Sequence, residues 1–223
     1  MRSAKQRPLV KICGLRRAED VQLCIRHGAD IVGFVVEYPK PVPWNVTADE
    51  AKTLLDAVNL QAETCIVTGG TAEHVCKLAA KLRPSYIQHH WETTAADLSV
   101  LTNALSQLGV KLIQAIFPHT PNFKRTAIDF CRTGVHALLL DPRTPDHAGQ
   151  GGTADIALWR NIQNAVTCPV ILAGGITHEN IADFIGEPAL WMIDLMTGVE
   201  QSPGRKDEPL VKALFHVLEG LSK

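Results

Sequence analysis

The sequence predicts a (β/α)8 barrel. Short β-branched runs alternate with helical patterns from one end of the 223 residues to the other. Several of those runs are apolar without interruption, as Ile31-Val32-Gly33-Phe34-Val35-Val36 and Ala137-Leu138-Leu139-Leu140 are. Strands buried on both faces, as parallel strands beneath helices must be, have that composition. No linker, low-complexity tract or shift of composition divides the chain, so residues 1–223 read as one domain. Barrels of about 250 residues are ordinary single domains.

Strands are expected near 8–13, 30–36, 63–68, 85–88, 110–116, 136–141, 169–173 and 190–195. Helices fit between them. The segment Arg17–His27 places Val21, Cys24 and Ile25 on one face, and Gly28 stands just past its end as a C-cap. Ala48–Val58 follows Thr47, a suitable N-cap. Thr71–Leu82 stops before Pro84. Further helical patterns run through 94–107, 122–132, 155–165, 178–185 and 206–221. Eight βα units leave two topologies, a closed barrel or a doubly wound sheet. No GxGxxG follows the first strand, and the even spacing favours the barrel.

Composition narrows the function. With 22 Lys+Arg against 23 Asp+Glu, the net charge is −1, and no basic stripe suggests nucleic acid. No apolar run reaches the about 20 residues of a membrane-spanning helix. The basic N-terminus leads into Leu9-Val10-Lys11-Ile12 without a signal-peptide core, which favours the cytoplasm. The six cysteines form no CxxC or other metal-ligand spacing, so each reads as a core residue in a reducing compartment. His89-His90 are adjacent on a strand and point to opposite faces, so they cannot chelate a metal together. The pattern of apolar residues leaves monomer and homodimer both open.

Active sites of this fold lie at the C-terminal ends of the strands. There the chain carries Cys13-Gly14, the loop Tyr38–Trp44, Gln88-His89-His90-Trp91, Asp141 with Gly151-Gly152-Thr153-Ala154, Gly174-Gly175, and Thr197-Gly198. Glycines let a backbone approach a ligand, and a helix start near Thr177–Asn180 would add N–H groups for an anion. A tight turn alone would also explain Gly174-Gly175. Their place after strand 7, with Thr197-Gly198 after strand 8, is the recurrent phosphate position of the fold.

These residues resemble the phosphoribosylanthranilate isomerase family along nearly the whole chain. The matching stretches are Lys11-Ile12-Cys13-Gly14-Leu15 with Glu19-Asp20, Gly28–Phe34, Leu140-Asp141 with Gly151-Gly152-Thr153, Leu172–Ile176 with Glu179-Asn180, and Thr197-Gly198-Val199-Glu200 with Pro203-Gly204 and Lys206-Asp207. The resemblance implies an Amadori rearrangement of N-(5'-phosphoribosyl)anthranilate in tryptophan biosynthesis. It implies Cys13 as the general base and Asp141 as the general acid. No metal or redox cofactor is required, because the imine intermediate is itself the electron sink. Cys13 must be a thiolate to act, and Lys11, on the same face of its strand, would lower its pKa. Asp141 must hold a proton to donate it.

The family pattern breaks mainly around the aromatic end of the substrate. Trp44 stands where the family carries an arginine that grips the anthranilate carboxylate. An indole cannot make the bidentate charged bonds of a guanidinium. Lys40 is the nearest replacement cation. Trp44 could instead stack on a different ring or cap the barrel mouth. His90 keeps the family's histidine, while Trp91 replaces a glycine. On the phosphate side, Ala154 replaces a glycine and Met196 a serine, and Gly152, Thr153, Gly174, Gly175, Thr197 and Gly198 remain. The segment Pro142–Gln150 reads as a cover, with Asp146 or His147 in reach of the site. A divergent relative taking another amine, and a non-catalytic phospho-ligand barrel, are the competing expectations. Retention of both Cys13 and Asp141 speaks against the second.

Overall fold

A computed structural model describes residues 7–142 and 152–221. Eight parallel strands close into a barrel: β1 Leu9–Ile12, β2 Ile31–Val36, β3 Glu63–Thr68, β4 Tyr86–His89, β5 Lys111–Ile116, β6 Ala137–Leu140, β7 Val170–Ala173 and β8 Met192–Leu195. Closure is direct, since β1 pairs with β2 on one side and with β8 on the other, Leu9 to Ile12 facing Met192 to Leu195. The doubly wound alternative is thereby excluded.

One helix follows each strand. They are α1 Ala18–His27, α2 Ala48–Val58, α3 Ala72–Leu82, α4 Ala95–Gln107, α5 Phe123–Arg132, α6 Ile156–Gln163, α7 Ala182–Ile185 and α8 Glu208–Leu221. Local chemistry sets several boundaries. Thr47 accepts from the Glu50 N–H while the Glu50 carboxylate accepts from the Thr47 N–H, a reciprocal capping box. Gly28 closes α1 at φ 109°, a left-handed conformation that favours glycine.

Three details depart from the sequence expectation. The helix expected over 178–185 forms only at Ala182–Ile185. Upstream, the Asn180 side chain accepts from the Thr177 N–H at 2.9 Å and donates to the Gly175 carbonyl at 2.9 Å. Those bonds hold a turn where helix was expected. A two-residue strand, Asn45–Val46, adds beside β2, and a short hairpin, Glu200–Ser202 with Arg205–Lys206, follows β8.

Apolar side chains divide into two clusters across the sheet. The larger one fills the layer between strands and helices, with Val32, Phe34, Ile66, Leu138 and Leu172 against helix residues such as Leu54, Leu78 and Leu214. The smaller fills the barrel interior, with Cys13, Ile31, Val35, Cys65, Val67, Ile113, Leu139 and Ile171. Successive strand residues alternate between the two. Of the six cysteines, all free, Cys13, Cys24, Cys65 and Cys168 are buried, whereas Cys76 and Cys131 are only partly so. No helix among the described residues is long and apolar enough to cross a membrane.

Candidate active site

A cavity of about 300 Å³ opens at the C-terminal ends of the strands. Cys13, Asp141, His90, Trp44, Lys40, Gly152, Gly174, Gly175, Thr197 and Gly198 all line it. Thr153 does not; it is exposed, with its backbone beside Gly175. Gly151, Asp146 and His147 lie outside the described residues.

Cys13 follows β1 at the floor of this cavity and is 4% exposed. It fits because β2 offers a glycine opposite. A Cβ on Gly33 would come within 2.9 Å of Cys13 Sγ and 3.2 Å of Lys11 Cε. Lys11 points into the same interior, fully buried, and its Nζ donates to Asp194 Oδ1 at 2.9 Å. Burial works against the Lys11 charge, but Asp194, with smaller help from Cys13 and Cys65, holds its pKa above the ordinary value. The effect on Cys13 differs from the sequence expectation. Lys11 does pull the thiol pKa down, yet burial outweighs it and Asp194 opposes it, so the net direction is upward. Burial therefore favours the thiol form of Cys13.

Asp141, just past β6, is 1% exposed, and its Oδ2 lies 2.7 Å from His90 Nε2. The other imidazole nitrogen, Nδ1, lies 3.2 Å from the Tyr38 hydroxyl. That hydroxyl donates to the His90 carbonyl at 2.9 Å, so its oxygen accepts from Nδ1–H. The contact between Nε2 and Asp141 Oδ2 is a hydrogen bond whose proton either partner can carry. Either way, one movable proton sits on the Asp141–His90 pair at the cavity wall.

The cavity has two chemically distinct ends. At one, the loops after β6, β7 and β8 interlock through glycine backbone. A Cβ on Gly174 would meet Pro142 Cγ at 2.3 Å, and one on Gly198 would meet the Ile176 carbonyl oxygen at 1.9 Å. The main chain itself forms this wall, as binding of a small anion requires. At the other end stand Tyr38, Trp91, Phe117 and His90, with Tyr38 and Trp91 edge to face at 5.9 Å. Lys40 Nζ lies 5.5 Å above the Trp91 ring and is the one Lys or Arg side chain among the described lining residues.

Trp44 is 4% exposed, and its Nε1–H donates to the Glu200 carboxylate at 3.0 and 3.2 Å. Its ring packs over Gly14, where a Cβ would come within 2.8 Å of Cδ1. Glu200 also accepts from buried Lys206 at 2.9 Å and from the Gly204 N–H at 3.2 Å. With its polar atom so engaged, Trp44 offers a ligand only an apolar surface. Sequence reasoning missed Tyr38 as the partner of His90, Asp194 as the partner of Lys11 and Glu200 as the anchor of Trp44. Asp194 alone carried a usable signal, since it faces Lys11 in the β1–β8 register. No group of three or more His, Cys, Asp or Glu among the described residues is placed to hold a metal.

Comparison with known proteins gives a consistent result. A family model for N-(5'phosphoribosyl)anthranilate (PRA) isomerase matches residues 10–217. The N-(5'-phosphoribosyl)anthranilate isomerase of Halobacterium salinarum is 32% identical over 209 residues, 92% of each chain. Its namesake from Legionella pneumophila is 31% identical over 199 residues, 89% of this chain and 90% of the other. The crystal structure of phosphoribosyl anthranilate isomerase from Thermus thermophilus superposes with a TM-score of 0.80 at 28% identity, covering 96% of this chain and 99% of that one.

Proposed function

Since the chain belongs to the N-(5'-phosphoribosyl)anthranilate isomerase family and is an isomerase of tryptophan biosynthesis, we propose that Cys13 is its general base and Asp141 its general acid. The substrate of the proposed reaction is N-(5'-phosphoribosyl)anthranilate. The phosphate lies against the backbone of Gly152, Gly174, Gly175, Thr197 and Gly198, and the aromatic ring among Tyr38, Trp91 and Phe117. Lys40 is the cation nearest the ring's carboxylate.

Asp141 donates its proton to the furanose ring oxygen as the C1–O bond breaks, giving the open-chain Schiff base. Cys13 removes the C2 proton, and the electrons flow into the imine to give an enolamine. The enolamine takes a proton at C1 while its C2 hydroxyl becomes the ketone, so the sum is an isomerisation. The observation that carries this reading is the Asp141–His90 contact of 2.7 Å in one wall with Cys13 on the floor. It supports a proton donor and a proton acceptor acting on one bound substrate. An anionic substrate carboxyl and phosphate would leave Cys13 no easier to ionise. Transfer to Cys13 therefore relies on the thiolate fraction, which Lys11 favours against burial and Asp194.

One observation favours a second reading, a family member that takes a different amine. Trp44 gives its N–H to Glu200 and leaves Lys40 as the sole Lys or Arg among the described lining residues. The test is loss of phosphoribosylanthranilate fluorescence, together with rescue of a tryptophan auxotroph lacking the isomerase. Turnover and rescue support the first reading; failure of both with folded protein supports the second.

A further inference from the structure

At the opposite end of the barrel from the cavity, two cysteines meet. Cys131 lies in the last turn of α5, and Cys168 lies two residues before β7. The Cys168 N–H donates to Cys131 Sγ at 3.0 Å, and the Thr167 hydroxyl lies 3.4 Å from the same sulfur. Cys131 is partly exposed, whereas Cys168 is 9% exposed beneath it. A partly exposed sulfur that accepts from the backbone N–H of a second cysteine has the makings of a redox-active pair.

The remaining cysteines are built differently. Burial raises the pKa of Cys24 and Cys65 to about 12 and pushes those of Cys13 and Cys76 upward. Burial acts the same way on Cys131 and is its largest single influence, yet the donors from Cys168 and Thr167 together bring its pKa below the ordinary value. Cys168 is shifted upward, first by burial and then by Cys131 itself.

We propose that Cys131 and Cys168 form a thiol modification site, with Cys131 the nucleophile and Cys168 the resolving thiol, which a small disulfide such as oxidised glutathione closes into an intramolecular bond. The Cys131 thiolate attacks one sulfur of the oxidant and releases one glutathione thiol. Cys168 then gives up its proton and attacks the Cys131 sulfur of the mixed disulfide, expelling the second glutathione. The protein loses two hydrogens, and the oxidant is reduced to two thiols.

The new bond ties α5 to the segment entering β7. Neither cysteine lines the cavity, and Gly174-Gly175 lie past the other end of β7. The oxidised form is accordingly expected to melt on the order of 5 °C higher, through restriction of the unfolded chain, with turnover unchanged.

Intact-mass and peptide analysis of the full chain after oxidised glutathione provides the test. The wild type should lose two hydrogens, with residues 131 and 168 in one cross-linked peptide. Cys168→Ser should instead keep one glutathione on Cys131, and Cys131→Ser should give no cross-link. On the unsubstituted protein, iodoacetamide should label Cys131 several-fold faster than Cys76, which is also only partly buried. A persistent glutathione adduct on wild type without the cross-link, or labelling of Cys131 no faster than Cys76, overturns the proposal.

Discussion

His90 Nε2 stands 2.7 Å from Asp141 Oδ2, and the Tyr38 hydroxyl, 3.2 Å from Nδ1, fixes which imidazole nitrogen faces the acid. The pair shares one hydrogen bond in the cavity wall. Asp141→Asn retains the shape and loses the acid, and should abolish turnover with the melting temperature and circular dichroism unchanged. Cys13→Ala should do the same. Near-wild-type rates in either variant would sink the two-residue mechanism. Tyr38→Phe removes only the orienting oxygen, and a kcat reduction of about tenfold with KM little changed is expected from steady-state assay.

Cys13 should show its raised pKa directly. Alkylation at Cys13, followed by peptide mapping, should be slow at neutral pH and still rising above pH 9, the ordinary value for a thiol. The rate of turnover should climb with pH on its neutral limb for the same reason. Lys11→Met removes the cation that lowers this pKa and leaves Asp194 buried without it. Chemical denaturation should then report a loss of about 3–5 kcal/mol, and Cys13 alkylation should move to still higher pH.

Lys40→Ala tests the aromatic end. If Lys40 meets the substrate carboxylate, its removal forfeits a charge-assisted hydrogen bond of about 1.5–3 kcal/mol, and kcat/KM should fall by about tenfold or more. An unchanged kcat/KM would show that the carboxylate is held elsewhere.

Gly198→Ala tests the glycine wall. The added methyl would lie 1.9 Å from the Ile176 carbonyl oxygen, so the loop after β8 must move away from the loop after β7. A KM increase on the order of a hundredfold is expected from the displaced wall, with inorganic phosphate losing its inhibition in parallel.

The strands were legible because burial on both faces leaves continuous apolar runs, as in Ile31–Val36 and Ala137–Leu140. The cavity's glycine end was legible because close backbone approach excludes a side chain at Gly174 and Gly198. Partnerships across long separations were not legible. Lys11 was expected to activate Cys13, and its neutralising partner Asp194 lies 183 residues away. Glu200 lies 156 residues from Trp44, whose indole N–H it accepts. The short α7 was missed for a local reason, because Asn180 bonds the backbone of its own turn and withholds it from the helix.

Acid should weaken the fold through His89. Burial depresses its pKa, and the bonds to Gln114 and Gly70 offset this only in part. Unfolded histidine, with a pKa of about 6.5, binds protons that folded His89 refuses, so stability should decline as pH falls below that value. Melting temperature against pH checks this. His89→Gln, which cannot titrate, should have a flatter acid limb.

The single carboxylate of Glu200 joins Trp44, from the loop after β2, to Lys206 and Gly204, from the hairpin after β8. The two loops that flank β1 thus share one keystone. A replacement at Trp44 that releases Glu200 leaves that carboxylate tied to Lys206 and Gly204 alone. A substitution at either end of this carboxylate link is therefore expected to be felt at the other.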